Sequence, residues 1–225
     1  MKNGCNRMYD KLKAIAVSGG ATAFGTGMVE DLRVHFDALP PDQTEGMSYG
    51  IVIGARVSAA VLKGCITGPT RHYLHHYRML NWLLDQTAAK IAIAIQNEGY
   101  NALPVPASQI IDWQAQTAHL SHKMTALRAG IGWIGRNNLL VHPEYGSKIR
   151  LATILTDMPM ETDSPVENDC GECRKCIDIC PASAIRESHR EWNKAACLEK
   201  LKYFAKAHNV GQYICGLCVK VCSPR

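Results

Sequence analysis

Residues 170–181 read C-G-E-C-R-K-C-I-D-I-C-P, and no other stretch limits the folds open to this chain so sharply. Four cysteines at C-x2-C-x2-C-x3-C with proline next form the run in which a tight loop wraps three thiolates around one iron-sulfur cube and sends the fourth to a neighbouring cube. A second cysteine group should therefore exist. Near the C-terminus Cys215, Cys218 and Cys222 keep the x2 and x3 gaps of the last three positions, with the first position vacant. Cys197, alone in A-A-C-L-E-K-L, can fill it. With the last cysteine of each run crossing over, one [4Fe-4S] cluster takes Cys170, Cys173, Cys176 and Cys222. The second takes Cys180, Cys197, Cys215 and Cys218.

Two other uses of these thiols compete with the clusters. A pair of zinc sites also suits C-x2-C spacing. Zinc sites, however, are built from two separated C-x2-C knuckles, whereas three cysteines two apart with a fourth before proline crowd ligands as a cube requires. A disulfide framework needs an oxidising compartment, and nothing in the chain points to secretion. The N-terminus has no apolar core of signal-peptide length, and no run reaches the roughly 20 apolar residues that span a bilayer. The expected location is cytoplasmic, with no membrane partner. Cys5 and Cys65 are expected to be free thiols, Cys65 buried.

At 225 residues the chain can bury a real core as one large domain with an appendage, or as two modest domains. A hydrophobic fraction of 47% with 20% charged residues excludes a disordered chain. The net charge of +5 permits an anionic partner, but no dense basic run demands one.

Taken in order, residues 9–36 are expected to form helix, glycine-rich turn, helix. The turn lacks a phosphate-loop ending, and its glycines serve close chain geometry. Residues 47–53 alternate into a strand with Tyr49, Ile51 and Ile53 on one face. A long helix opens at Pro69 and Thr70 and stops at Gly99, its core face carrying Leu80, Leu84, Ala88, Ile91 and Ile95. His72, His75 and His76 share a helix face but lack a carboxylate or cysteine at ligand spacing, so they are read as polar surface or ligand-contact residues. Residues 101–108 are extended under proline control. A helix is expected over residues 112–129, carrying His119 and His122, followed by a glycine-rich loop over 130–141. The strand over residues 148–156 sets Ile149, Leu151, Thr153 and Leu155 on one face. Residues 158–168 hold two prolines among polar neighbours and are read as a linker. The expected division is 1–165 and 166–225.

Three stretches together resemble the epoxyqueuosine reductase family, which is akin to the reductive dehalogenases. They are A-G-I-G-W-I-G-R-N-N-L-L, then Y-G-S-K-I-R-L-A-T-I-L-T, then C-G-E-C-R-K-C-I-D-I-C-P with lone Cys197 and the final C-G-L-C-V-K-V-C. Cysteine spacing alone is common; the glycine-tryptophan loop placed ahead of it is far more specific. The resemblance implies an α/β (α+β) fold, with a nitroreductase-like cobalamin-binding domain followed by a bacterial ferredoxin-like domain holding two [4Fe-4S] clusters. It implies that Gly130, Gly132, Trp133, Gly135, Gly146 and Ser147 lie against the corrin; the alternative is tight turns around a core tryptophan. It also implies an oxidoreductase that passes electrons through the clusters to a corrinoid, fed by an external donor such as ferredoxin or flavodoxin, with tRNA as a partner in the family.

The chain departs from the family pattern in three places. Family members have an aspartate proton donor upstream of the loop, and gapless alignment puts Gln116 there, which cannot donate a proton at neutral pH. Asp112, His119 and His122 lie nearby. The chain ends three residues after Cys222, so a short form without the helical C-terminal extension is expected, and Ser-Pro follows Cys222 in place of proline directly. Two further readings stand beside the enzyme. One is a non-catalytic electron carrier or corrinoid-protein activator; the other is a nucleic-acid-binding protein with structural clusters.

Overall fold

A computed structural model describes residues 2–36 and 38–223, with side chains from Arg7 onward. In chain order these residues form α1 (Lys2–Ser18), β1 (Ala23–Met28), β2 (Tyr49–Arg56), α2 (Ala59–Lys63), α3 (Arg71–Gln96), β3 (Ala102–Val105) and α4 (His122–Arg128). There follow β4 (Trp133–Ile134), β5 (Leu140–Val141), β6 (Ile149–Thr156), α5 (Lys175–Asp178), α6 (Lys194–Ala207) and α7 (Leu217–Val221). The fold is mixed α/β and gathers into two compact units, each drawn from three separate stretches of chain. The division expected at 165/166 follows chain order, whereas the units interleave.

The first unit comprises Met1–Ala55, Asn81–Ile131 and Arg150–Val166. Its sheet runs β1-β2-β6-β3, with β1 antiparallel to β2 and β3 antiparallel to β6. One-sided burial was expected of β2 and β6, but both are buried at almost every position. Successive side chains point to opposite faces, so helices and loops cover the sheet on both sides. Val29, Leu32, Met47, Val105, Leu120 and Leu155 form one of its cores.

The glycine-rich turn expected between two helices is instead strand β1, and only a 3-10 turn at Glu30–His35 follows it. The reason is contact with α4. A Cβ on Gly25 would stand 2.1 Å from the Ala129 carbonyl oxygen, and one on Gly27 would stand 2.7 Å from that of Arg128. Glycine lets the end of α4 lie directly on the strand. The helix expected over residues 112–129 also shrinks, to His122–Arg128. Asp112 Oδ1 accepts from the backbone N–H groups of Gln114 and Ala115 at 2.7 and 2.9 Å, an alternative that competes with helix. Gln116 then takes φ 53°.

Helix α3 starts and stops close to where its signals predict. Thr70 Oγ1 accepts from the Tyr73 N–H at 3.0 Å, and Gly99 takes φ 86°. Leu84, Ala88, Ile91 and Ile95 are buried as expected, while Leu80 is only partly buried. The segment read as a linker is held along part of its length. Asp163 accepts from the Thr26 N–H at 2.8 Å and from the Tyr9 hydroxyl at 3.1 Å. Burial and then the Asp163 carboxylate push Tyr9 up to about 12.

The second unit comprises Arg56–Leu80, Gly132–Ile149 and Glu167–Arg225. Val57, Leu62, Cys65, Tyr73, Val210, Ile214 and Leu217 form its core. The hairpin β4-β5 pairs Trp133 with Val141 and Ile134 with Leu140. Cys65 is fully buried, as expected; the Cys5 side chain lies outside the described residues. Among the described residues no helix is long and apolar enough to cross a membrane.

Candidate metal centre

All eight cysteines predicted as cluster ligands fall in the second unit, together with Gly132, Trp133, Gly135, Gly146 and Ser147. Gly130 belongs to the first unit. The first cysteine run is wound by short turns: Cys173 N–H donates to the Cys170 carbonyl at 3.0 Å, and Cys180 N–H to that of Ile177 at 3.1 Å. The run is thereby folded through tight turns without a long helix.

Burial and mutual repulsion raise several of these thiols, and most of the influences fall within two groups. Burial pushes Cys176 up to about 11, and the thiols that add to the shift are Cys222, Cys170 and Cys173. Burial raises Cys197, with Cys180 adding to it. Cys215 is pushed up to about 11 by burial, with Cys197, Cys180 and Cys65 contributing. Burial raises Cys218 most strongly, and Cys215, Cys197, Cys176 and Cys180 add to it. Thiolates packed this way can all ionise only against positive charge, and coordination to iron supplies it. The donor chemistry therefore fits two iron-sulfur cubes. Among the described residues no three His, Cys, Asp or Glu side chains converge at single-ion spacing. A cube does not ask them to, since each of its irons takes one thiolate.

A cavity of about 360 Å³ opens beside the first group, with Trp133, Val141, Pro143, Cys170, Cys173 and Cys222 among its lining residues. Trp133 is buried, and its Nε1 has no hydrogen-bond partner among the described residues. The glycines of the loop meet the protein's own chain. A Cβ on Gly132 would lie 2.0 Å from the Val141 carbonyl oxygen, and one on Gly135 would press on Val141 Cγ2 at 2.5 Å, with Cys170 Sγ 3.5 Å away. Gly146 has φ 64°, and a Cβ there would stand 2.4 Å from the Cys222 carbonyl oxygen. In the first unit, Gly130 comes as close to the Ser164 carbonyl oxygen, at 2.5 Å.

The Ser147 hydroxyl accepts from Asn137 Nδ2 at 3.0 Å and donates to Cys222 Sγ at 3.3 Å. Lys148 Nζ donates to the Cys222 carbonyl and to Ser223 Oγ. Arg136 donates to the carbonyls of Cys173 at 3.0 Å and Gly171 at 2.8 Å, which fixes the loop between the first two cysteines. Glu187 pairs with both Arg136 and Arg174. Sequence reasoning assigned no role to Arg136, Asn137 or Lys148. The only signal was their position, directly after G-W-I-G and Y-G-S.

The acid question is sharpened. Gln116 lies in an exposed turn of the first unit with its Nε2 donating to the Trp113 carbonyl at 2.6 Å. The Asp112 carboxylate is occupied by its own turn. His122 Nε2 donates to the Pro106 carbonyl and the Thr153 hydroxyl donates to His122 Nδ1, both at 2.8 Å. Burial depresses this imidazole to about 4, so it is neutral at pH 7. In the second unit, His76 Nε2 accepts from the Ser58 N–H at 2.9 Å, a structural role.

Residues 169–224 match the model of a 4Fe-4S double cluster binding domain. Over 113 residues the chain is 38% identical to the epoxyqueuosine reductase of Bacillus anthracis, covering 47% of this chain and 30% of that protein. Over 69 residues it is 46% identical to the Bacillus subtilis epoxyqueuosine reductase, covering 31% and 18%. Over these stretches the chain is similar to the epoxyqueuosine reductases. The matched stretches span 30% and 18% of the length of those two curated relatives. Among solved structures, a reductive dehalogenase described in terms of B12-dependent dehalogenation matches with TM-score 0.72 at 22% identity, over 94% of this chain and 30% of that one. An epoxyqueuosine reductase bound to an epoxyqueuosine-modified tRNA stem loop matches with TM-score 0.64 at 20% identity, over 97% and 65%. The α/β fold with a double-cluster module is thus the one that the resemblance implied.

Proposed function

We propose that this chain is an iron-sulfur oxidoreductase of the epoxyqueuosine reductase kind, moving single electrons along two [4Fe-4S] clusters toward a corrinoid that carries out a reductive step. The mutual influence of the thiols supports the reading: Cys176 feels Cys222, Cys170 and Cys173, while Cys218 feels Cys215, Cys197 and Cys180, with Cys176 acting on it as well. Apart from that one link, the pattern supports the interlaced set that the spacing rule predicts. A protein that holds two cubes in one small unit provides a short path between a donor and an acceptor.

The chain's own residues would hold the clusters through eight thiolates, brace the first loop with Arg136, and keep bulk away with Trp133 and Val141. For a corrin, which would supply low-valent cobalt, the expected glycines meet protein backbone or side chains instead. Trp133 keeps a buried, unanswered donor and is the residue best placed to meet such a ligand. Gly130, Gly132, Gly135, Gly146 and Ser147 would shape its surroundings by letting the chain fold tightly. The tRNA substrate of the family and a ferredoxin- or flavodoxin-class donor belong to the same proposal.

Oxygen-free purification followed by iron, sulfide and cobalamin analysis tests it. Iron and sulfide sufficient for two cubes, with cobalamin retained, is the expected result. Clusters without any spectral response to cobalamin would remove the corrinoid step. A second reading, an electron carrier that serves a separate catalytic protein, is favoured by one observation: the Asp112 carboxylate is held by its own turn, and Gln116, which gapless alignment puts at the family's acid position, is an amide. Turnover of an epoxyqueuosine-containing stem loop by the purified chain with a chemical reductant would exclude the carrier.

A further inference from the structure

The two groups of thiols are set in unlike surroundings. Cys222, in the first group, receives a hydroxyl hydrogen bond on its sulfur from Ser147, and the Lys148 ammonium sits on its carbonyl. Both donors are held: Ser147 is buried with Asn137 behind it, and Lys148 is partly buried with Ser223 as its second partner. Carboxylates of Asp169 and Glu172 also line the cavity beside this group, but both residues are exposed and therefore screened by water. In the second group Cys215 packs against the apolar core of Val57, Leu62, Tyr73, Ile214 and Leu217. The hydrogen bonds to sulfur there come from backbone N–H groups, that of Ala184 to Cys180 at 3.4 Å and that of Leu217 to Cys215.

The reduction potential of a cube depends on hydrogen bonds to its sulfurs, on nearby charge and on exposure to solvent. Reduction adds one negative charge to the cube and its four thiolates. A hydroxyl aimed at a ligand sulfur and a fixed ammonium favour that extra charge, whereas apolar walls oppose it.

From this asymmetry we infer that Ser147 and Lys148 are positioning residues that raise the potential of the cube bound by Cys170, Cys173, Cys176 and Cys222 above that of the cube bound by Cys180, Cys197, Cys215 and Cys218. The inference rests on the two-cluster reading above. Each cube takes up one electron from a one-electron protein donor of the ferredoxin or flavodoxin class and gives one up; Ser147 and Lys148 neither gain nor lose a proton. An electron resident in the pair therefore collects at the cube next to Trp133.

The test is a mediated redox titration of the oxygen-free, cluster-loaded protein, with dithionite as reductant and electron paramagnetic resonance as readout. Two separate midpoints are expected. Ser147→Ala and Lys148→Met should each lower the higher midpoint and leave the lower one in place, and Lys148→Arg should return it toward the parent value. In Ser147→Ala the iron–thiolate stretching bands should also lose the deuterium shift that the parent shows in heavy water. Full iron and sulfide with one unsplit midpoint, or variants that move both midpoints or neither, would overturn the inference while leaving the clusters intact. Absence of iron and sulfide in the parent would overturn the two-cluster reading itself. If a variant fails to load, the parent's deuterium shift decides: no shift in any iron–thiolate band overturns the assignment of Ser147.

Discussion

Gly146 has φ 64° and leaves no room for a Cβ against the Cys222 carbonyl oxygen at 2.4 Å. The left-handed backbone costs a non-glycine residue roughly 1–2 kcal/mol, and the clash adds to it. Gly146→Ala should therefore destabilise the second unit by at least about 2 kcal/mol in chemical denaturation and lower iron retention, with the loss concentrated in the cube that uses Cys222. At His122 the prediction concerns pH. Its pKa in the folded chain, about 4, lies below the ordinary 6.5, so the unfolded chain binds more protons between these values. The stabilisation is complete above about pH 6.5 and is lost as pH falls toward about 4. Its ceiling is about 3 kcal/mol from the 1.36 kcal/mol that each unit is worth. Denaturation midpoints measured from neutral to mildly acidic pH should fall in the parent and flatten in His122→Asn.

Strand β1 shows how an element can be misread when its residues serve a neighbour. A-F-G-T-G-M carries two glycines, which weaken strand propensity and invite the reading of a turn. Their purpose is visible only once α4 lies on them. Gly25→Val, a good strand former by propensity, should nonetheless cost about 3 kcal/mol, because the Ala129 carbonyl cannot retreat from a branched side chain; urea titration of the variant measures it. The expected helix over residues 112–129 failed for a related reason: Asp112 captured the backbone N–H groups that a helix would have used. Helix α3 was legible because its buried residues recur at helical spacing and its ends carry their own signals. The cluster thiols were legible because ligand spacing is a local property of sequence. Arg136 and Lys148 were not, since their partners, Cys173 and Cys222, lie far along the chain.

At the level of the whole molecule, the two units draw on different sources of stability. The first has a four-stranded sheet buried on both faces. The second has short helices, α5 and α7, whose lengths of 4 and 5 residues are too small to stand without support. The metal centre would supply that support, as folding and metal binding are coupled where ligands hold the chain. Stripping the clusters with an oxidant and a chelator should leave peptides from β2 and β6 protected against hydrogen exchange, while peptides from residues 170–223 lose protection. Equal loss in both would mean that the units stand or fall together.

The interleaving of the units has a consequence for inheritance. A break at 55/56 or 166/167 spares one unit and severs the other, and a break anywhere between them divides at least one. No single recombination point can hand both units, whole, to separate genes. A lineage that keeps the cysteines must therefore carry the sheet along with them, or rebuild the chain's order.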